Sequence, residues 1–343
     1  MIAANFLLLG VFAVLLILGT PIAVALGLAG AAAVAVGLDL NTVAMVGANT
    51  YASVAKYPLI AIPLFVLTGM VFERSGVAAR LVIFAQSIVG PRRGGLAIVA
   101  TLVCMIMGGM SGSGPADAAA VATIMIPSMM KAGYPRAFSA SVIAASASTA
   151  ILIPPSIALI VYSILVPGVD LRALFAAGLL PGVLAGLAVI LPTIFLSRKH
   201  DFGAAEDMTR PEFWPSFRGA IPGLLAPVII LGGLRSGLFT PTEAASVAVA
   251  YGFFVGVLIY RNMSWNDVWS VLAESAETSA VIMIIISLAG LFAWAGSTLG
   301  AFDYAAQSIL AFSDNGLVVL IMVMAVLLVA GMIVGTATAL IAV

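Results

Sequence analysis

Two short clusters of Gly, Ser, Thr and Pro interrupt otherwise apolar stretches of the chain. The first, Met107–Pro115, ends in Ser-Gly-Ser-Gly-Pro, and the second, Ser146–Ser156, ends in Ile-Pro-Pro-Ser. Inside a bilayer, a broken helix exposes backbone N–H and C=O groups, which is tolerated only where protein buries them or a polar cavity is lined. Two such breaks close together predict a site for a small polar solute or an ion.

The composition of the chain excludes most other classes of protein. Of its 343 residues, 63% are hydrophobic and 8% are charged, whereas soluble domains carry about 25% charged residues. Apolar stretches long enough to cross a hydrocarbon core of about 30 Å recur along the sequence. The formal net charge is zero, which argues against a nucleic-acid partner. We therefore predict an all-α polytopic membrane protein and interpret it as a transporter.

The apolar segments predict where the chain turns and where it is broken. An amphipathic arm is predicted at 76–90, a hairpin with a Ser-Gly-Ser tip at 94–130, and a long broken helix at 137–166. The sizeable polar loop lies at 201–218. Because cations flank both ends of 94–130, we predict a re-entrant hairpin that enters and leaves the membrane on one side. Two ordinary spans joined by a short loop are the alternative.

The second part of the sequence resembles the first in order and spacing, which indicates an internal repeat. Thr20-Pro21 matches Thr240-Pro241, each at a junction of two apolar segments. Ala-Gln-Ser-Ile at Ala85–Ile88 recurs at Ala306–Ile309. A second hairpin, broken at Gly331–Thr338, is expected from the same correspondence.

The distribution of Lys and Arg predicts how the two repeats are oriented. The first repeat covers 1–200 and includes scaffold helices at 1–57, and the second covers 219–343. With the loop 201–218 in the cytoplasm, as the positive-inside rule prefers, most cations fall inside and the two hairpins enter from opposite faces. Inverted repeats with a site near the midplane recur in secondary transporters. Val343 corresponds to a position inside the first hairpin, so we expect the second repeat to be truncated by about 80 residues.

Three stretches of the sequence carry a resemblance to a known family. They are Ser111–Ala120, which reads Ser-Gly-Ser-Gly-Pro-Ala-Asp-Ala-Ala-Ala, Ile151–Ser156, and Leu238–Ala245, which reads Leu-Phe-Thr-Pro-Thr-Glu-Ala-Ala. In these stretches the chain resembles the large membrane subunit, the DctM-type permease, of the tripartite ATP-independent periplasmic (TRAP) transporters. The family usually has Gly-Thr where this chain has Ala147-Ser148, and Ala150 stands at a common Gly.

The resemblance implies a function, partners and a mechanism. It implies an elevator-type permease of the bacterial inner membrane, with inverted repeats and two re-entrant hairpins. Such a permease is a transporter and not an enzyme. The resemblance also implies sodium-coupled import of a small organic anion, delivered by a periplasmic substrate-binding protein. A small four-helix membrane subunit would brace the permease in the lipid bilayer.

The broken segments supply the candidate site residues, because sodium is a hard cation that prefers oxygen ligands. The first candidate sodium site comprises Ser111, Gly112, Ser113, Ser148, Thr149 and Ala150. A mirrored second candidate sodium site comprises Gly331, Gly335, Thr336 and Thr338. The substrate pocket is expected to be lined by Pro154, Pro155 and Ser156. The carboxylate of Asp117 either contributes negative charge that raises ion affinity, or it interacts favourably with the helix dipole and nearby hydrogen-bond donors. For Glu243 we prefer a helix-capping role, with Thr242 as the cap, over ion coupling.

Three other functions are alternatives to this interpretation. A stand-alone sodium/anion symporter of similar inverted-hairpin architecture would work without a binding protein. A channel predicts a continuous polar stripe or a charged ring, whereas the polar breaks here are isolated. An intramembrane enzyme would need a metal cluster or a Ser–His pair, and the apolar segments of the sequence contain neither.

Overall fold

The computed structural model describes residues 2–38, 40–166, 168–203, 210–313 and 315–341. These residues form α-helices joined by short turns and contain no β-strand. The helices are α1 Ile2–Ile17, α2 Ile22–Gly37, α3 Leu40–Val54, α4 Ala61–Arg74, α5 Val77–Val89, α6 Gly95–Ser111, α7 Gly114–Lys131, α8 Arg136–Ala147, α9 Ile157–Leu165, α10 Leu171–Lys199, α11 Phe213–Arg235, α12 Pro241–Phe253, α13 Trp265–Thr298, α14 Ala301–Leu310 and α15 Gly316–Ile341. Short 3-10 turns lie at Tyr57–Ile60 and Ser148–Ile151, and a π-helical turn at Phe254–Ile259 continues α12.

Five helical segments of the described chain are long and apolar enough to cross a bilayer. They are Tyr57–Arg74, Leu171–Lys199, Phe213–Arg235, Pro241–Ile259 and Trp265–Thr298. Several shorter apolar helices accompany them, including α6. Helices satisfy their own backbone hydrogen bonds, which is why they can cross hydrocarbon. The expected all-α polytopic membrane class is confirmed.

Glycines in the left-handed conformation start the two helices that carry the repeated tetrapeptide. Gly76, with φ +80°, precedes α5, and Gly300, with φ +74°, precedes α14. A side chain would be strained at such φ values, and glycine is not. The Ala-Gln-Ser-Ile sequences of α5 and α14 therefore lie in helices that begin in the same way.

The chain divides into two compact units, and the larger comprises Tyr57–Ser279. In this unit α6 packs against α5, α7, α8 and α10, and α4 packs against α12. The core contains Met107, Met110, Met125 and Met129, each almost fully buried. Small residues let membrane helices approach closely, so that van der Waals contacts stabilise their packing.

The smaller unit comprises Met1–Lys56 and Ala280–Val343. Here α1 packs on α2, and a small core joins Leu8 and Val34 to Leu299. The hydroxyl of Ser287 on α13 donates to the Thr50 carbonyl of α3 at 2.9 Å. A polar bond between helices thus supplements apolar packing in this unit.

Two local expectations are corrected by the structure. The predicted loop 201–218 is shorter, because α11 already begins at Phe213. The Phe213 and Phe217 rings pack 5.9 and 5.5 Å from the Phe84 ring of α5, which stabilises this early helical turn. Glu243 does cap α12, but its partner is Thr240, because the Thr-x-x-Glu spacing forms a reciprocal capping box.

Candidate functional site

The first cluster forms a tight turn between two antiparallel helices. Gly112, with φ +61°, ends α6, and its N–H donates to the Gly108 carbonyl at 3.0 Å. Ser113 is extended and precedes α7, whose second residue is Pro115. Since proline has no N–H, the carbonyl of Ser111 has no helical partner four residues on. The turn therefore leaves carbonyl oxygen atoms at the end of α6 available to another ligand.

The two ends of this hairpin lie in the same core. Leu96 and Ala97 at the start of α6 are buried in one cluster with Met129 near the end of α7 and Tyr134 just beyond it. The tip lies inside the protein, since Ser111 and Gly112 are both buried.

The second cluster breaks the segment between α8 and α9. After Ala147 the chain makes a 3-10 turn, and α9 begins only after Ser156, which is extended. Pro154 and Pro155 offer no N–H groups, so the carbonyls of residues 150 and 151 lack helical partners. The break at residues 148–156 therefore ends α8 and lets α9 start anew, each with unpaired backbone groups at its terminus.

The structure brings the hairpin tip and the second break into backbone contact. A Cβ added to Gly112 would lie 2.5 Å from the Pro155 carbonyl oxygen and 3.1 Å from the Ile157 nitrogen. A Cβ added to Gly108 would lie 2.5 Å from the Cα of Ala150. Only glycine permits so close an approach of two backbones.

Four helix ends consequently meet at one place. A Cβ on Gly114, the first residue of α7, would lie 2.9 Å from the Ala147 carbonyl at the end of α8. The C-terminal ends of α6 and α8 carry partial negative charge, and the N-terminal ends of α7 and α9 carry partial positive charge. Such a point can accept a cation on its carbonyls and an anion on its N–H groups.

The predicted residues of the first sodium site differ in their surroundings. Ser111, Gly112, Thr149 and Ala150 are buried, Ser113 is half-buried, and Ser148 is exposed. The hydroxyl of Ser148 donates to its own helix at the Ala145 carbonyl, at 2.7 Å. Of these residues, Ser148 could contribute to an ion site through its backbone rather than its hydroxyl.

The residues predicted to line a substrate pocket are enclosed by protein. Pro154, Pro155 and Ser156 are all buried. Among the described residues, the Ser156 hydroxyl has no hydrogen-bond partner although its oxygen is inaccessible. Buried polar atoms are nearly always paired, so this hydroxyl is available to a ligand at the hairpin tip.

The mirrored second site does not have the expected break. The helix α15 runs without interruption from Gly316 to Ile341. Glycine and threonine lower helix propensity, but each keeps its N–H, so without proline the helical hydrogen bonds can continue. Gly331 is exposed, while the surroundings of Gly335, Thr336 and Thr338 lie outside what the structure describes.

Two contacts near the site were not predicted from the sequence. The Thr101 hydroxyl of α6 lies 2.8 Å from the Ser146 hydroxyl of α8, and both are fully buried. Gly69 of α4 packs closely against the hairpin tip, since a Cβ added at Gly69 would lie 2.9 Å from the Cβ of Ser111. Isolated polar or small residues in apolar helices were the available signal, yet they do not reveal their partners.

The donor set at the tip suits a hard cation rather than a transition metal. In the part of the chain that the structure describes, no three His, Cys, Asp or Glu side chains are grouped as metal ligands. The available donors are carbonyl and hydroxyl oxygens, which hard cations prefer.

The fold and this site define a polytopic helical membrane protein with broken helices facing one another, the architecture of a transport protein. A sequence profile of the DctM component of the tripartite ATP-independent periplasmic transporters matches residues 9–343. The chain belongs to this family, and it is an integral protein of the bacterial inner membrane.

Individual relatives differ in the solutes that their names give. The chain is 34% identical over 327 residues to the isethionate TRAP transporter permease protein of Oleidesulfovibrio alaskensis, covering 94% of this chain and 51% of the relative. It is 41% identical to the C4-dicarboxylate large permease of Pseudomonas aeruginosa, covering 78% and 62%. It is 35% identical to the sialic acid large permease of Vibrio cholerae, covering 80% and 64%. The chain therefore spans roughly half to two thirds of the length of these relatives.

Proposed function

We propose that this chain is the permease part of a sodium-coupled importer of a small organic anion. The observation that carries the proposal is the meeting of four helix ends at the contact of Gly112 with Pro155. A sodium ion would take carbonyl oxygens from the ends of α6 and α8. The acid group of the solute would take N–H groups from the starts of α7 and α9, as half-helices do in other transporters.

The burial of the hairpin tip supports a re-entrant arrangement. A tip that reached the far membrane surface would be exposed to water, whereas Ser111 and Gly112 are buried against the second break. On this proposal the hairpin α6–α7 enters from the cytoplasm and stops within the bilayer. Inverted repeats and an elevator-type movement of the hairpin-bearing part belong to the same proposal.

The solute is a small molecule with a carboxylate or a comparable acid group. Relatives are named for C4-dicarboxylates, sialic acid and isethionate, all of which are anionic at neutral pH. The ends of α7 and α9 recognise the negative charge, and the rest of the solute would be selected by other side chains. A periplasmic binding protein would deliver it, and a small four-helix subunit would brace the permease.

Uptake of labelled anions into proteoliposomes tests the proposal. The full-length permease is reconstituted with its small subunit. Each preparation receives one labelled solute, which is a C4-dicarboxylate, sialic acid or isethionate, with or without the binding protein. Uptake is compared under a sodium gradient and under a choline gradient. Uptake that needs both sodium and binding protein supports the proposal. Uptake by the permease alone would instead favour the stand-alone symporter, and uptake indifferent to sodium would refute the coupling.

A further inference from the structure

The carboxylate of Asp117 is buried in the first turn of α7, beside the hairpin tip. It is 1% exposed, and both its oxygens lie 2.7 Å from the hydroxyl oxygen of Ser111. Among the described residues, no Lys, Arg or His forms an ion pair with it. The Ser111 hydroxyl and the N-terminal end of α7 are therefore the favourable polar partners of this carboxylate.

The hydroxyl of Ser111 has two hydrogen-bond partners, Asp117 and the Ser113 N–H. It donates its single proton to Asp117, and it accepts a hydrogen bond from the Ser113 N–H at 3.2 Å. Gly69 of α4 packs against the Cα and Cβ of Ser111, since a Cβ at Gly69 would lie 3.1 and 2.9 Å from them. A hydroxyl has one proton and two lone pairs. With the proton and one lone pair occupied, the second lone pair of Ser111 is left for one further partner.

We propose that Asp117 is a positioning residue, which acts through Ser111 to prepare an oxygen ligand for the cation at the hairpin tip. By accepting the proton, the carboxylate prevents the hydroxyl from rotating that proton toward the ion, and it makes the oxygen a better electron donor. Asp117 itself does not touch the ion. The inference rests on the proposed sodium coupling and assigns it a residue beyond the candidate ligands.

Asp117→Asn separates this role from a structural one. The amide preserves the shape but removes the charge, and its NH₂ group can donate to Ser111 in place of accepting. We expect unfolding without sodium to be unchanged or to occur at higher temperature, because an unpaired buried charge is gone. The sodium concentration for half-maximal stabilisation should rise at least tenfold. A purely structural residue would give the reverse: easier unfolding without sodium, and an unchanged sodium response.

The measurement is thermal unfolding of the purified full-length permease in detergent, titrated with NaCl against choline chloride at constant ionic strength. Ser111→Ala should lose sodium affinity to the same extent, and adding Asp117→Asn to it should cause no further loss. Glu274→Gln is the matched control, because it removes one exposed carboxylate elsewhere and should leave the sodium response unchanged.

The outcomes distinguish this inference from the proposed function. If the natural protein shows no stabilisation specific to sodium, both fail. If it does, but Asp117→Asn keeps the natural sodium affinity, only the positioning role is refuted. Additive losses in the double variant would also overturn the action through Ser111. Should Asp117→Asn fail to fold, an unchanged sodium response of Ser111→Ala would refute the inference by itself.

Discussion

Replacing Gly108 by alanine should separate the hairpin tip from the second break. The new methyl would lie 2.5 Å from the Cα and 2.6 Å from the Cβ of Ala150, whereas ordinary contact begins at 3.4 Å. The two backbones must therefore move apart by about 0.9 Å, more than the roughly 0.5 Å that a preorganised site tolerates. We expect sodium affinity to fall at least tenfold, which corresponds to about 1.4 kcal/mol.

The effect of Gly108→Ala on folding should be smaller than its effect on the site. Overpacking costs about 1–3 kcal/mol, while replacing glycine by alanine inside a helix returns about 1 kcal/mol. The net loss of unfolding free energy should therefore be roughly 0–2 kcal/mol. The variant should fold, and its defect should concern the ion.

Gly232→Ala in α11 is the matched control for this prediction. A Cβ at Gly232 would meet nothing within 4 Å, so this substitution should bring only the helix-propensity gain and an unaltered sodium response. Thermal unfolding over a sodium titration is measured for both variants, followed by anion uptake in proteoliposomes. Natural sodium affinity in Gly108→Ala would show that the contact between tip and break does not form the ion site.

Three further substitutions test separate parts of the structure. Ser148→Ala should leave sodium-dependent uptake nearly unchanged, because its exposed hydroxyl bonds to its own helix and its carbonyl is retained; a loss above tenfold would show that the hydroxyl binds the ion. Thr101→Val should lower the unfolding free energy by about 0.5–1.5 kcal/mol, because the buried Ser146 hydroxyl loses one partner and keeps its bond to the Val142 carbonyl; adding Ser146→Ala should recover part of this loss in a double-mutant cycle. Thr240→Ala removes the capping box of α12 and should cost about 1 kcal/mol in thermal unfolding, while Thr242→Ala should cost little because Thr240 is the cap.

Local chemistry explains why much of the fold could be predicted from the sequence. The class follows from apolar runs with few charges, and the breaks at Gly112 and at Pro154-Pro155 follow from clustered glycine and proline residues, which disfavour a continuous helix. The same reasoning explains why the break predicted at Gly331–Thr338 is not found. That segment contains no proline, so the small residues alone did not interrupt α15 in the structure.

What the sequence determined by itself is therefore the location of the helices, the two proline-bearing breaks and the capping spacing at Thr240. The tertiary structure decided which groups meet there. It turned Ser148 outward and Thr149 inward, joined Ser111 to Asp117, and set the tip on the second break. Breaks are local because each depends on the N–H groups and dihedral angles of a few consecutive residues. The contacts that each group makes are not determined locally, because they depend on how helices distant in sequence pack against one another.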